Sequence, residues 1–291
     1  MEFRLLADTR CIVGEGPVWD DRRRVLWFVD IMAPAVHRIA LDGSGFASWP
    51  MPKPVGSIGL GESGKLIAAL RDEFAILDPE SGALTPFATL PADEPATNRL
   101  NDGKVGPDGA FWVGTMDNRV EKEKVGSLYR VGGDGTVERK AKGYGVSNGL
   151  AFSPDGRTMF HSDSRGPTIV RWRFDPATGA IADRTTIATL DLSVGRCDGA
   201  ACDAEGFYWS AGVFGGYVNR FAPDGRLAES HRFPVPTPTM PCFCGPDLRT
   251  LVVTSLRERD LAAIDKFPTM GSVFVAASPV AGTPVHRMRG I

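Results

Sequence analysis

GPDGAFWVGTM, residues 106–116, joins a tight Asp-Gly turn to a run of aromatic, β-branched and small residues. Variants of this phrase recur, with the third turn position at residues 21, 64, 109, 156, 206 and 248, at intervals of 43, 45, 47, 50 and 42 residues. Repeats of about 40–50 residues are typical of β-propeller blades. The six phrases occupy residues 19–30, 61–70, 106–116, 153–163, 203–213 and 245–255.

A second series of turns alternates with the first, so each repeat contains two hairpins and therefore four strands. Glycine in these turns accepts positive φ, and proline presets φ at the second turn position. The pattern predicts an all-β, six-bladed β-propeller with four antiparallel strands per blade, forming a single domain over residues 1–291. FRLLAD (3–8) is expected to pair with PVHRMRG (284–290) and close the ring. The second turns are LDGSG (41–45), DPESG (78–82), GGDG (132–135), DPATG (175–179), APDG (222–225) and SPVAG (278–282).

Composition excludes several classes of protein. With 33 basic and 35 acidic residues and a pI near 6.1, the chain lacks the positive footprint of a nucleic-acid-binding protein or a binder of anionic membranes. No apolar run reaches the ~18 residues that a membrane helix needs. MEFRLLADTR at the N-terminus does not resemble a secretory signal, which predicts a cytoplasmic protein. Five irregularly spaced cysteines predict reduced thiols.

Three polar residues stand just ahead of a blade phrase at the same phase of the repeat. They are Glu15 in GEGPVWD, Asn148 in SNGLAFSPDG and Asp198 in CDGAACDAEG. Equivalent positions of different blades face one axis, so we expect the three side chains to meet there. Two carboxylates and an amide suit Ca²⁺, Mn²⁺ or Mg²⁺, whereas Zn²⁺ fits less naturally without His or Cys. The alternative is a solvated Glu15 and two local Asx-turns.

Arg99 and Asn101, in NRLNDGKVGPDG, occupy the same place ahead of a fourth phrase. GVSNG (145–149) matches the G-x-S-x-G nucleophile motif of serine hydrolases. That motif functions at a strand-turn-helix junction, whereas LAFSPDG continues as a strand and a turn. The residues therefore favour a metal site over a serine nucleophile.

Taken together, these motifs resemble the family of senescence marker protein (regucalcin), gluconolactonase and luciferin-regenerating enzyme. The resemblance extends from about residue 11 to 274. It rests on GEGPVWD (14–20), RLNDGKVGPDGAFWVGTM (99–116), GSLYR (126–130), SNGLAFSPDG (147–156), CDGAACDAEGFYWSA (197–211) and PCFCGPDL (241–248).

The resemblance implies a six-bladed propeller that binds one divalent metal ion through Glu15, Asn148 and Asp198. It also implies that Asp198 is the catalytic acid and base, and that Arg99 and Asn101 hold substrate hydroxyls. Family members often carry an acidic substrate-binding residue soon after G-T-M, and here Asp117 and Glu121 are both candidates. Cys197 stands before Asp198, where the family frequently has proline.

The implied activity is hydrolysis of a sugar lactone, of the aldonolactone type, by a metal-dependent, gluconolactonase-like enzyme with a small-molecule substrate. Polarisation of the carbonyl by a cation and proton transfer by Asp198 make this chemistry physically reasonable. Two alternatives remain: hydrolysis of another lactone, an aryl ester or an organophosphate, and a non-enzymatic metal-binding propeller. The sequence leaves the oligomeric state open, with a monomer possible.

Overall fold

The computed structural model describes all 291 residues of the chain. Its strands form six antiparallel sheets of four strands each, so the predicted all-β, six-bladed propeller is confirmed. After β1 (Arg4–Ala7), the first blade contains β2 (Gly14–Asp20), β3 (Val25–Asp30), β4 (Ala35–Ile39) and β5 (Ala47–Pro50). The second contains β6 (Val55–Leu60), β7 (Leu66–Leu70), β8 (Glu73–Leu77) and β9 (Leu84–Thr89). The third contains β10 (Asn98–Val105), β11 (Phe111–Asp117), β12 (Gly126–Val131) and β13 (Val137–Tyr144).

The remaining blades follow in the same order. The fourth contains β14 (Ser147–Phe152), β15 (Thr158–Asp163), β16 (Thr168–Asp175) and β17 (Ala180–Thr189). The fifth contains β18 (Arg196–Cys202), β19 (Tyr208–Val213), β20 (Tyr217–Phe221) and β21 (Leu227–Arg232). The sixth contains β22 (Pro238–Cys244), β23 (Thr250–Ser255) and β24 (Val273–Ala277). One 3-10 turn (Leu192–Val194) and one short helix, α1 (Leu261–Lys266), lie in loops. No helix is long and apolar enough to cross a membrane.

The hydrophobic core is divided among the six boundaries between neighbouring blades, each filled by its own cluster of buried side chains. The largest members include Trp27, Trp112 and Trp209, which lie on the second strands of blades one, three and five. Each indole N–H donates to an aspartate at the end of the first strand or in the turn after it, at 3.4, 3.1 and 2.8 Å respectively. A buried indole thus keeps its hydrogen bond, and each turn is tied to its blade.

The N-terminal strand closes the ring as predicted, but the predicted partner segment was wrong. β1 pairs with β24, with Arg4 opposite Val275 and Leu5 opposite Phe274. VFVAA in β24 buries four of its five residues, whereas the segment at 284–290 carries charged residues that cannot fill a blade. The turn predicted at residues 278–282 likewise leads to no further strand, because β1 already supplies the fourth strand of this blade.

Residues 279–291 cross the underside of the ring, the end at which the first strand of each blade finishes. Backbone hydrogen bonds join Thr283 to Cys202 in the fifth blade at 3.1 Å and Met288 to Leu60 in the second at 2.7 Å. The Met288 side chain is fully buried in the cluster between the second and third blades. This C-terminal tail therefore connects blades that are not neighbours.

We expect Met288→Ala to lower the free energy of unfolding by about 2–5 kcal/mol, because truncating a buried methionine removes packing and leaves a cavity. Arg289→Ala is the matched control, since its side chain is exposed and surface changes usually stay within about 0.5 kcal/mol. Urea unfolding followed by tryptophan fluorescence measures both. Equal midpoints for Met288→Ala and the wild type would mean that the tail is not part of the folded unit.

Candidate active site

The first strands of the six blades, β2, β6, β10, β14, β18 and β22, contact one another around the central axis. Glu15 is the second residue of β2, Asn148 the second of β14 and Asp198 the third of β18. These residues were predicted just ahead of the blade phrases, and the structure places them inside the first strands of their blades. All three are at the same end of the ring, where strand positions are fixed by the blades rather than by loops.

Each of these strands has an irregular register close to its start. The last regular pair before the irregularity involves Glu15 in β2, Asn148 in β14 and Cys197, the residue before Asp198, in β18. Gly149 has a φ of +60°, and any side chain there would collide with the Tyr208 hydroxyl and with Ser162. The glycines after the polar residues are therefore required by a strand that bulges at the axis.

A continuous line of hydrogen bonds connects residues from three blades. The Asn148 amide nitrogen donates to an Asp198 carboxylate oxygen at 2.5 Å and to the Ser164 hydroxyl at 2.9 Å. The Asn101 amide donates to the Asn148 oxygen at 3.2 Å, and the Arg99 guanidinium donates to the Asn101 oxygen at 2.8 Å. Four of the predicted site residues are thus joined one to the next by hydrogen bonds: Arg99, Asn101, Asn148 and Asp198.

The electrostatics of the site are dominated by buried carboxyl groups. Burial raises the pKa of Glu15 well above its usual value, and the negative charges of Asp198 and Asp102 raise it further. Burial also raises the pKa of Asp198 to about 8, with a further contribution from Asp102 and an opposing one from its bond to Asn148. The nearby Arg99 partly offsets both charges, and its own pKa is lowered to about 10 by burial. When ionised, the three carboxyl groups would carry more negative charge than Arg99 compensates, and their raised pKa values reflect this.

Asp102 is a site residue that sequence analysis missed. It is buried, one carboxylate oxygen accepts the Leu150 N–H at 3.0 Å, and the other has no hydrogen-bond partner. Burial raises its pKa, with the positive charge of Lys104 opposing. The sequence Asn-Asp-Gly at residues 101–103 could have suggested Asp102 as a candidate, but only Asn101 of this segment was predicted to lie in the site. Asp102 is the fifth residue of β10, and its charge acts on both Glu15 and Asp198.

The two acidic candidates after β11 occupy different environments. Asp117 is fully buried, and its carboxylate accepts from the Arg119 guanidinium at 2.7 and 3.0 Å and from the Glu123 N–H at 2.9 Å. Those bonds hold the loop that follows β11. Glu121 is exposed within that loop and forms no hydrogen bond in the structure. Of the two, Glu121 is the one free to contact a ligand.

Ser147 in the GVSNG segment pairs with a histidine, as a nucleophilic serine would. Its hydroxyl lies 2.6 Å from the Nε2 atom of His161. Both residues are fully buried, however, and the serine side chain fills the space beside Gly114. Burial lowers the pKa of His161 to about 3. A substrate carbonyl has no access to this hydroxyl, so the pair supports the start of β14 rather than covalent catalysis.

The residues at the axis fit a hard divalent cation. Glu15 and Asp102 are buried, Asp198 is half-buried, and their negative charges repel one another, a situation that is costly without a positive charge. One Asp102 oxygen has no hydrogen-bond partner, which is consistent with a place for a cation. No group of three His, Cys, Asp or Glu side chains lies close enough together to bind a metal ion alone. The amide oxygen of Asn148 would therefore act as the third ligand beside Glu15 and Asp198.

Comparison with known proteins identifies the family of the chain. The family model for the SMP-30/Gluconolactonase/LRE-like region matches residues 13–257. The chain belongs to this family. Members of the SMP-30/gluconolactonase/LRE-like family that resemble it include a 6-deoxy-6-sulfogluconolactonase from Pseudomonas putida, 37% identical over 93% of each chain. An L-arabinolactonase from Azospirillum brasilense is also 37% identical, over 98% of this chain and 95% of that one.

A solved structure of the same SMP-30/gluconolactonase/LRE-like type extends the agreement to three dimensions. It is a calcium-binding protein, regucalcin, from Agrobacterium tumefaciens. The two folds agree with a TM-score of 0.91 over 98% of this chain and 97% of that one, at 32% sequence identity. The resemblance identified from sequence motifs is therefore confirmed at the level of the family.

Proposed function

We propose that the protein is a metal-dependent lactonase that opens a sugar lactone of the aldonolactone type to the sugar acid. The observation that carries the proposal is the line of contacts Arg99–Asn101–Asn148–Asp198, which ends at the half-buried carboxylate of Asp198. Such an arrangement combines donors for hydroxyl groups with a proton acceptor and a cation site. The names of the two bacterial lactonases support the same reaction class.

In this proposal Glu15, Asn148 and Asp198 hold one divalent metal ion. The description of the Agrobacterium relative as calcium-binding favours Ca²⁺, and the oxygen ligands would also accept Mn²⁺ or Mg²⁺ and, less well, Zn²⁺. When bound, the cation supplies Lewis-acid polarisation of the lactone carbonyl. It also compensates the negative charge that the chain leaves uncompensated.

Asp198 is the proposed catalytic acid and base. Hydrolysis adds water to the ester carbonyl and breaks the bond from the carbonyl carbon to the ring oxygen. Asp198 accepts a proton from the attacking water and later donates it to the departing ring oxygen, which becomes the hydroxyl of the sugar acid. Its hydrogen bond from Asn148 fixes the orientation of the carboxylate before substrate arrives.

Substrate hydroxyls are held by Arg99 and Asn101 on β10, with Glu121 approaching from the loop after β11. Arg99 uses its Nη1 atom for the Asn101 oxygen and the Leu100 carbonyl, and its Nη2 atom forms no hydrogen bond in the structure. A donor left unpaired in the protein is available to an oxygen atom of the substrate. Asp117, bound to Arg119, orders the loop that carries Glu121.

A panel of substrates tests the proposal. Acid release from gluconolactone, arabinonolactone and xylonolactone is compared with release from dihydrocoumarin and a phosphofluoridate, each corrected for spontaneous hydrolysis. We expect turnover of at least one sugar lactone that requires added divalent metal. Turnover of the aryl lactone or the phosphofluoridate alone would assign the site to the alternative hydrolase class. Metal binding without any turnover would indicate a non-enzymatic propeller.

A further inference from the structure

Three cations stand around the candidate active site without acidic partners in the chain; we call Arg71, Lys122 and Arg165 the cationic rim. Each is tied to the site through a neighbouring atom. The Arg71 carbonyl accepts the N–H of Leu100, which lies between Arg99 and Asn101, at 2.8 Å. Arg165 directly follows Ser164, whose hydroxyl accepts the Asn148 amide.

Lys122 reaches the same region from the loop after β11. Its ammonium donates to the carbonyl oxygens of Asp117 at 2.7 Å and Arg119 at 3.2 Å. Asp117 pairs across the sheet with Asn98, the residue before Arg99. An ammonium group carries three N–H bonds, so one donor of Lys122 remains. The Lys122 side chain is half-buried, which restricts the position of its ammonium group.

The cations influence one another. The pKa of Lys122 is lowered first by burial and then by the positive charges of Arg99 and Arg165, with the negative charge of Asp117 opposing. The pKa of Arg99 is lowered by burial and also by the charge of Arg71. Positive groups that repel one another in this way create a local field that favours an anion between them.

The acidic residues of this region do not neutralise the rim. No rim residue takes part in an ion pair, although the structure contains twenty. Asp117 is occupied by Arg119, and the two carboxylates beside Arg71 both pair with Lys53. Asp117 still partly offsets the charge of Lys122, and Glu121 is the one further carboxylate of the loop after β11 that could offset a rim charge. At least two positive charges remain.

We propose that the substrate is a sugar lactone bearing a carboxylate, sulfonate or phosphate at the end remote from the ester carbonyl, and that the cationic rim binds this group. The inference rests on the proposed lactonase activity and names the substrate class of the same site. An anion cannot lie among Glu15, Asp102 and Asp198, so it must point outward past Arg99. Arg71 and Lys122 lie close enough to Arg99 for their positive charges to interact with it.

The first test compares neutral glucono-1,5-lactone with 6-phosphoglucono-1,5-lactone, and then with a lactone of glucaric acid, which carries a carboxylate. We expect kcat/KM of the wild type to be at least about tenfold higher for the anionic lactones, since a hydrogen-bonded ion pair commonly contributes that much. Raising the salt concentration from 0.02 to 0.5 M should reduce this preference, because salt screens exposed charges. Phosphate and carboxylate probes distinguish a rim that needs a dianion from one that accepts any anion.

The second test uses Lys122→Gln, with Lys124→Gln as the matched control. Both change the same charge in one loop, but Lys124 is exposed and forms no hydrogen bond. We expect Lys122→Gln to lower kcat/KM for the anionic lactones about tenfold, mainly through KM, and to change the neutral lactone less than twofold. The control should leave both unchanged.

Two outcomes separate the inference from the function on which it rests. Equal hydrolysis of neutral and anionic lactones, or equal losses in Lys122→Gln for both, would overturn the anionic-substrate inference and leave lactonase activity intact. Failure to hydrolyse any lactone would overturn the proposed function itself. Circular dichroism and thermal unfolding of both variants establish that any loss of activity occurs in folded protein.

Discussion

Asp198→Asn is expected to lower kcat by about 10²–10⁴-fold, the usual contribution of general acid–base catalysis. Asparagine retains an oxygen that can face a cation and can still accept the Asn148 amide, but it cannot accept a proton near neutral pH. The assay must use saturating divalent metal, because the lost charge also weakens metal binding. Steady-state hydrolysis of the best sugar lactone from the panel is the measurement.

Asp102→Asn is the matched control for this experiment. It removes a buried carboxylate next to Asp198 without removing the proposed base, and it should lower kcat much less. Removing the negative charge of Asp102 should also lower the pKa of Asp198, because that charge raises it. If Asp198→Asn keeps more than about a tenth of wild-type kcat at saturating metal, Asp198 is a ligand only, and another group accepts the proton.

Glu15→Gln is expected to weaken binding of a divalent cation by at least about 100-fold. Even residues that only orient metal ligands cost 10–100-fold when they are replaced, and Glu15 supplies a charged ligand directly. Glu73→Gln makes the same chemical change at a partly exposed carboxylate bound to Lys53, and it should leave affinity unchanged. Calorimetric titration with Ca²⁺ and Mn²⁺ measures both. Unchanged affinity in Glu15→Gln would place the metal elsewhere.

Metal binding should also depend on pH, with a sign fixed by the raised carboxyl pKa values. Without metal, Asp198 in the folded protein keeps its proton up to about pH 8, whereas in the unfolded chain it loses that proton near pH 4. Stability of the metal-free protein should therefore fall as pH rises across this window. A cation must displace the protons, so its affinity should increase from pH 5 to pH 8. Thermal unfolding with and without Ca²⁺ at several pH values tests both statements, and a pH-independent metal effect would contradict them.

The fold could be predicted because hairpin chemistry is local. Turns rich in Gly, Pro and Asp, followed by β-rich runs, identify each blade within about 45 residues, and their number gives the architecture. The pairing of β1 with β24 could not be predicted in the same way, because many apolar segments compete as partners for a strand at the other end of the chain. Burial distinguishes the two segments, because VFVAA is mostly buried in the sixth blade whereas PVHRMRG is mostly exposed or half-buried.

The site was predicted unevenly for a related reason. The shared phase of the repeat was enough to predict that Asn148 and Asp198 lie close together, because equivalent strand starts share one axis. The structure shows the two side chains in contact. Asp102 was missed because an Asn-Asp-Gly sequence also describes an exposed turn, and only the structure shows that it is buried. The cationic rim depends on which charges lack a partner. That information comes from residues far apart in sequence, so no local motif contains it.

The pairing of β1 with β24 also determines the order in which the protein can be completed during its synthesis. Arg4 and Val275 are roughly 270 residues apart, so at the 5–20 residues per second of a ribosome the first strand waits roughly 15–55 seconds for its partner. During that interval its backbone donors and acceptors form an open edge that can pair with another nascent chain. Residues 279–291 leave the ribosome later still. The oldest strand of the polypeptide therefore takes its final place only after β24 has been made, and a chaperone that shields the N-terminus would act within that interval.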